Sequence, residues 1–206
     1  MIGVGTTGRV DGRTLRAERT RAAIVDAHMA LIGEGDLRPT GERIAERAGI
    51  SLRALWTNFK DMEALFAASG EKLAELQAAA HRPIDAGLPL PRRIDLYCEQ
   101  RARMLEMLAP CARAAALREP FSAQLKQNRV KAIAVVQAEI EEVFATELAL
   151  AGSAGGQLLQ ALVVASTWAS WSMLRDELGL GLSAARGVLT RTVSALLAAA
   201  ITSSLR

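Results

Sequence analysis

Between Thr40 and Lys60 the chain places Ser51, Leu52, Arg53, Trp56, Thr57 and Asn58 within a few residues of one another, and no histidine or cysteine lies in the stretch. Without a base beside a nucleophile, the chemistry on offer is recognition by hydrogen bond and charge. Arg53 leads, because a guanidinium can grip O6 and N7 of guanine with both prongs of its fork. A phosphate contact or a solvated charge is the competing assignment for it. Ser51, Leu52, Thr57 and Asn58 are the other candidates for base edges. Thr40, Trp56 and Lys60 suit phosphates, which fix register without reading sequence.

Such residues act together only if short elements hold them. The spacing predicts helices over 41–48 and 52–58, parted by Gly49 at a turn that favours positive φ. Ile44 and Ala48 form the inner face of the first helix. Ala45 is small where the second helix crosses it, Ile50 and Leu55 fill the gap, and Ser51 can cap the second helix. These offsets are those of a helix-turn-helix, whose second helix enters the major groove. A helix over 16–32 precedes it, with Ala23, Ile24, Ala27 and Leu31 at three- and four-residue steps. Thr40 is a good N-cap for the helix over 41–48, and Asp61 opens a fourth helix to about residue 80.

In this region the sequence resembles the TetR/AcrR family of bacterial regulators. The resemblance covers roughly residues 16–66. It is carried by Arg21, Ile24, Ala27, Leu31, Ile32 and Gly35, then by Thr40, Ile44, Ala45, Ala48, Gly49, Ile50, Ser51, Leu55 and Phe59, and finally by Asp61, Glu63 and Leu65. Three positions depart from it. Trp56 stands where a tyrosine is usual, Met62 where a lysine is frequent, and Gly41 where an apolar residue is common. The indole N–H of Trp56 can still reach a phosphate oxygen, and Lys60 can stand in for the missing lysine. The resemblance implies a dimeric, usually repressing regulator, whose helix 61–80 transmits a ligand's binding from body to head and releases DNA.

Composition agrees with a basic head on a neutral body. Residues 1–60 hold 10 Lys/Arg against 7 Asp/Glu, and residues 61–206 hold 15 of each, so the net charge of +3 lies in the head. That asymmetry suggests a polyanionic partner. Half the residues are hydrophobic and only 4% aromatic, a balance that favours helices. The expected fold is all-α with about nine helices. It divides into an arm over 1–14, whose Arg9 and Arg13, with Arg16 just beyond, could enter a minor groove, a DNA-binding domain over 15–60, and an effector-binding and dimerisation domain over 61–206. One head offers little contact area, so a homodimer on palindromic double-stranded DNA is expected.

In the body, helices are expected at 92–108, ended by Pro110, and at 111–117, 121–150, 157–178 and 184–203. The last two suit a four-helix dimer interface: Val188, Leu189, Thr192, Val193, Leu196, Leu197, Ala200 and Ile201 form one broad stripe, and Leu158, Leu159, Leu162, Val163 and Ala165 cover more than one face. The alternative is burial of both helices within one subunit. Tyr97, Cys98, Arg101, Met104, Met107, Leu108, Phe121, Trp168 and Trp171 are candidates to line a small-molecule effector site, with ordinary core packing the competing role for each. The uncharged run 148–174 is broken by Gly and Gln, which argues against a membrane span. With no basic, apolar leader at the N-terminus and only two cysteines, a cytoplasmic protein is expected. His28 and His81 are the only histidines, and no metal-ligand spacing, phosphate loop or nucleophile motif occurs, so neither catalysis nor a cofactor is expected. A regulator triggered through Cys98 and Cys111 is the alternative, although a helix separates the two thiols by too much for a bond within one chain.

Overall fold

Helix signals and breakers alternate closely enough in this chain to divide it into short rods. In the computed structural model, which describes residues 12–204 and side chains from 14 to 201, ten α-helices and no strand occupy the described residues. Helix α1 (Gly12–Gly33) is followed by α2 (Gly41–Arg47), α3 (Leu52–Asn58) and α4 (Met62–Ala80). Each of the last three starts on a side-chain cap. Thr40 Oγ1 accepts from Arg43 N, Ser51 Oγ from Ala54 N, and Asp61 Oδ1 from Ala64 N, satisfying donors that a helix start leaves free. Gly49 adopts φ +67° between α2 and α3, where a side chain would be strained.

These helices enclose a first core. Ile24, Val25, Ala27 and Leu31 of α1 meet Ile44 and Ala45 of α2, Leu55 of α3, Phe59, and Leu65 of α4. The remainder builds a second core: α5 (Leu90–Arg118), a 3₁₀ turn (Glu119–Phe121), α6 (Ala123–Val143), α7 (Ala145–Leu150), a 3₁₀ turn (Gly152–Ala154), α8 (Gly155–Ala165), α9 (Trp168–Ser172), a π turn (Met173–Glu177) and α10 (Leu182–Ser204). Tyr97, Phe144, Leu162, Trp171, Leu189 and Leu197 are among its buried members. Helix α4 joins the two. Its first half packs on the first core, and Asn128 of α6 donates to the Phe66 carbonyl at 2.9 Å.

Four expected boundaries are corrected. Helix α1 already includes Gly12, the first described residue, rather than opening at Arg16, since Arg13, Thr14 and Leu15 include no breaker; the side chains of Arg9 and Arg13 lie outside the described residues. Pro110 does not end α5, which runs unbroken to Arg118. An internal proline costs about 3 kcal/mol, and burial of Leu105, Ala109 and Ala114 on either side outweighs it. The expected helix 121–150 breaks at Phe144, whose ring is fully buried edge-on to Tyr97 with centroids 5.3 Å apart. The expected helix 157–178 breaks at Ser166–Thr167. There Thr167 Oγ1 and Ser170 Oγ both donate to the Val164 carbonyl, offering the backbone a rival to helical pairing, and Arg101 Nε donates to the Ser166 carbonyl at 2.9 Å.

These breaks also divide the uncharged run 148–174, whose longest rod has 11 residues, well below the roughly 20 a membrane span needs. One helical stretch, Leu182–Ile201, is long and apolar enough to cross a membrane by length and composition. In the second core, Arg93 is bound bidentately to Glu147, with nitrogen–oxygen distances of 2.9 and 2.6 Å, and also donates to the Val143 and Leu88 carbonyls.

Candidate nucleic-acid interface

Leu55 on the inner face of α3 is fully buried, and Ala45 and Ile44 of α2 are buried opposite it. That contact turns the other side of α3 outward. Leu52, Arg53, Trp56 and Thr57 are exposed there, at the spacing that puts them on one helical face, and Lys60 extends the surface past the helix end. Thr57 Oγ1 donates to the Arg53 carbonyl, and the half-buried Asn58 amide donates to the Ala54 carbonyl at 2.8 Å. Both side chains are thus held against their own helix, while Arg53 is open. Thr40 and Ser51 serve as caps, and Lys60 Nζ lies 3.9 Å from Asp61.

Two departures noted in the sequence belong together. A β-carbon at Gly41 would lie 2.6 Å from Cζ2 of Trp56. The indole therefore occupies the space that a side chain at 41 would need, and the glycine admits a ring larger than tyrosine.

The sequence reading gave Arg21 no role at this surface. Its guanidinium sits 4.1 Å from the centroid of Phe59 and donates to the Asn58 carbonyl at the end of α3. A cation there satisfies an orphan carbonyl and complements the helix dipole. The available signal was an arginine at a three- and seven-residue step from Ile24 and His28, on the inward stripe of α1. Arg47 and Arg43 likewise tie α2 to the preceding loop, through a bidentate pair with Glu34 and a 2.7 Å contact with Asp36.

His28 closes the far side of this unit. It is buried, its Nδ1 lies 2.9 Å from Ser69 Oγ of α4, and its ring tilts on Phe66. Burial first, and the Arg118 charge second, lower its pKa to about 4 from 6.5. A base depressed on folding binds its proton more readily when unfolded, so stability is complete above pH 6.5 and declines as pH falls toward 4. Between pH 7 and 5 this group should remove up to about 2 kcal/mol. Urea unfolding at both pH values should show that difference, and His28→Asn should abolish most of it; an unchanged pH response in the variant would contradict the assignment.

A crystal structure of a transcriptional regulator from Rhodococcus sp. Rha1 is similar to this chain over 90% of its length and 97% of that protein's, with a TM-score of 0.65 and 19% identity. The likeness is one of fold. No family model and no curated protein matches the chain.

The residues expected to line an effector site do not share one surface. Tyr97 and Trp171 are packed in the second core, with Arg101 and Met104 buried and Trp168 partly buried. Met107 is exposed, and Phe121, 90% exposed, lies instead in a groove beside α4. Trp171 Nε1 donates to Glu106, which Arg175 also binds. Among the described residues the buried hydroxyls of Tyr97 and Ser166 have at most each other as hydrogen-bond partner, next to Arg101, whose Nη1 is 3.6 Å from Glu139. Cys98 and Cys111 are free thiols on the one continuous helix α5, about 20 Å apart along its axis at the standard rise. Burial raises both pKa values, that of Cys98 to about 11. Among the described residues, no group of three or more His, Cys, Asp and Glu side chains could hold a metal ion.

Proposed function

We propose that this chain is a DNA-binding transcription regulator whose α3 reads base edges in a major groove. The observation that carries the reading is the outward face of α3, with Arg53 exposed and unpaired among the described residues and Leu52, Trp56, Thr57 and Lys60 around it, on a helix anchored at one end by a Ser51 cap and at the other by Arg21. The similar fold of the Rhodococcus transcriptional regulator supports it over nearly the full length.

The working units are a DNA-binding head, from α1 to residue 60, and a body over 61–206. The body forms a homodimer through the 157–178 and 184–203 segments. Val164, Leu178 and Val188 are exposed there, and only 22% of the apolar Leu182–Ile201 stretch is buried within one subunit. A second copy removes that surface from water. The protein acts in the cytoplasm as a repressor on a palindrome, released by a small hydrophobic effector that separates the heads through α4. The Tyr97, Arg101 and Ser166 groups near the α8–α9 break would meet its polar end.

Footprinting on DNA upstream of its own coding sequence tests the reading, with a protected palindrome as the expected result. Arg53→Ala should weaken binding to that site by about 1–3 kcal/mol, roughly five- to 150-fold, with melting temperature and dimer unchanged. Unaltered affinity would remove Arg53 from the interface, and the absence of any specific site would end the regulator reading.

A further inference from the structure

Where α4 passes the junction of α5 and α6 there is a groove of about 390 Å³, lined by Arg38, Met62, Glu63, Phe66, Leu117, Arg118, Phe121 and Ser122. That volume falls within the roughly 300–1,000 Å³ of small-molecule sites. Its walls come from the loop before α2, from α4, and from the end of α5 with its 3₁₀ turn. The apolar part is substantial: Phe121 is 90% exposed and Leu117 42%, above Met62 and Phe66. The charges are unequal. Arg38 makes no side-chain hydrogen bond or ion pair among the described residues, and the Arg118 guanidinium sits over the Phe66 ring at 5.8 Å. The single carboxylate, Glu63, is already committed, accepting from Gln124 N at 3.0 Å at the start of α6. Ser122 is likewise occupied in capping that helix.

We infer that this groove is a binding site for a small amphiphilic carboxylate, whose apolar portion covers Phe121, Leu117 and Met62 while its charged end meets Arg38 and Arg118. Two guanidiniums against one engaged carboxylate select an anion, because charge-assisted hydrogen bonds to guanidinium are strong and an ammonium head would face repulsion. The exposed aromatic face gives the ligand's carbon chain a surface to bury. The site is distinct from the interior of the second core.

Titration calorimetry of the full chain with octanoate, and with octylammonium as the charge-inverted control, decides the matter. Octanoate should bind one per chain with a submillimolar Kd, about tenfold or more tighter than octylammonium. Phe121→Ser and Arg38→Gln change exposed side chains, so melting should be unaffected while octanoate binding weakens by about fivefold or more in each. No binding, equal affinity for both amphiphiles, or undiminished affinity in the two variants would each overturn the site. So would conversion of a dimer to monomers by Phe121→Ser in sedimentation, which would give the face to a second copy. None of these readouts involves DNA, so the site is tested separately from the regulator reading.

Discussion

Leu55→Ala should cost the protein about 2–5 kcal/mol and abolish specific DNA binding. The side chain is fully buried where α3 crosses α2, against Ile44 and Ala45 and beneath Ile24 of α1. Truncation removes the buried methyls and leaves a cavity that two seven-residue helices cannot close, because each is fixed at its start by a cap and α3 is fixed at its end by Arg21. The measurement is paired: urea unfolding for the energy, and gel shift at a protein concentration where the variant remains folded. A variant of native stability would show that the crossing is not held by this residue. Loss of stability with native DNA affinity would show that α3 keeps its pose without this side chain, and would overturn Leu55 as the residue that sets it.

Glu147→Gln is expected to cost about 3–5 kcal/mol, since it leaves the Arg93 guanidinium buried without its counter-charge. Arg93 and Glu147 side chains are 7% and 5% exposed, so water cannot replace the lost partner. The Arg93 fork holds the Glu147 carboxyl below the usual carboxylate range, so the pair is intact at neutral pH. A folded pKa depressed in this way gives stability above the ordinary carboxylate pKa and loses it on further acidification. The double change Arg93→Met with Glu147→Leu should recover part of the loss, because an apolar pair avoids the desolvation cost of two ions while the Leu88 and Val143 carbonyls give up the Arg93 donors. Thermal or urea unfolding of the single and double variants checks this; equal losses in both would mean that packing, rather than charge, is what the pair provides.

The N-terminal helices were legible because their signals are local. Thr40, Ser51 and Asp61 announce caps, Gly49 announces a turn, and Ile24, Ala27 and Leu31 repeat with helical period. The body was legible only as a class. Whether Pro110 ends a helix, or Phe144 and Ser166 interrupt one, depends on tertiary contacts such as the Tyr97–Phe144 ring pair and the Arg101–Ser166 hydrogen bond, and no window of sequence contains them. Arg21 and Arg93 were opaque for the same reason: an arginine on a helix reads as solvated charge until its partner, 37 or 54 residues away, is known. Phe121 shows the other side of this: an aromatic that sequence alone offers to a ligand site or to the core stands 90% exposed beside α4, a place only the fold could give it.

The close approach of Gly41 and Trp56 constrains the history of this surface. Glycine at 41 tolerates any ring at 56, large or small, whereas an indole facing a β-carbon would have to move off the helix surface it now covers. Substitutions at the two positions therefore have a permitted order, the small residue arriving first or together with the large one. A lineage that regained a side chain at 41 would have to swing the indole aside or shrink it, and would change whatever that ring contributes at the protein's outer face.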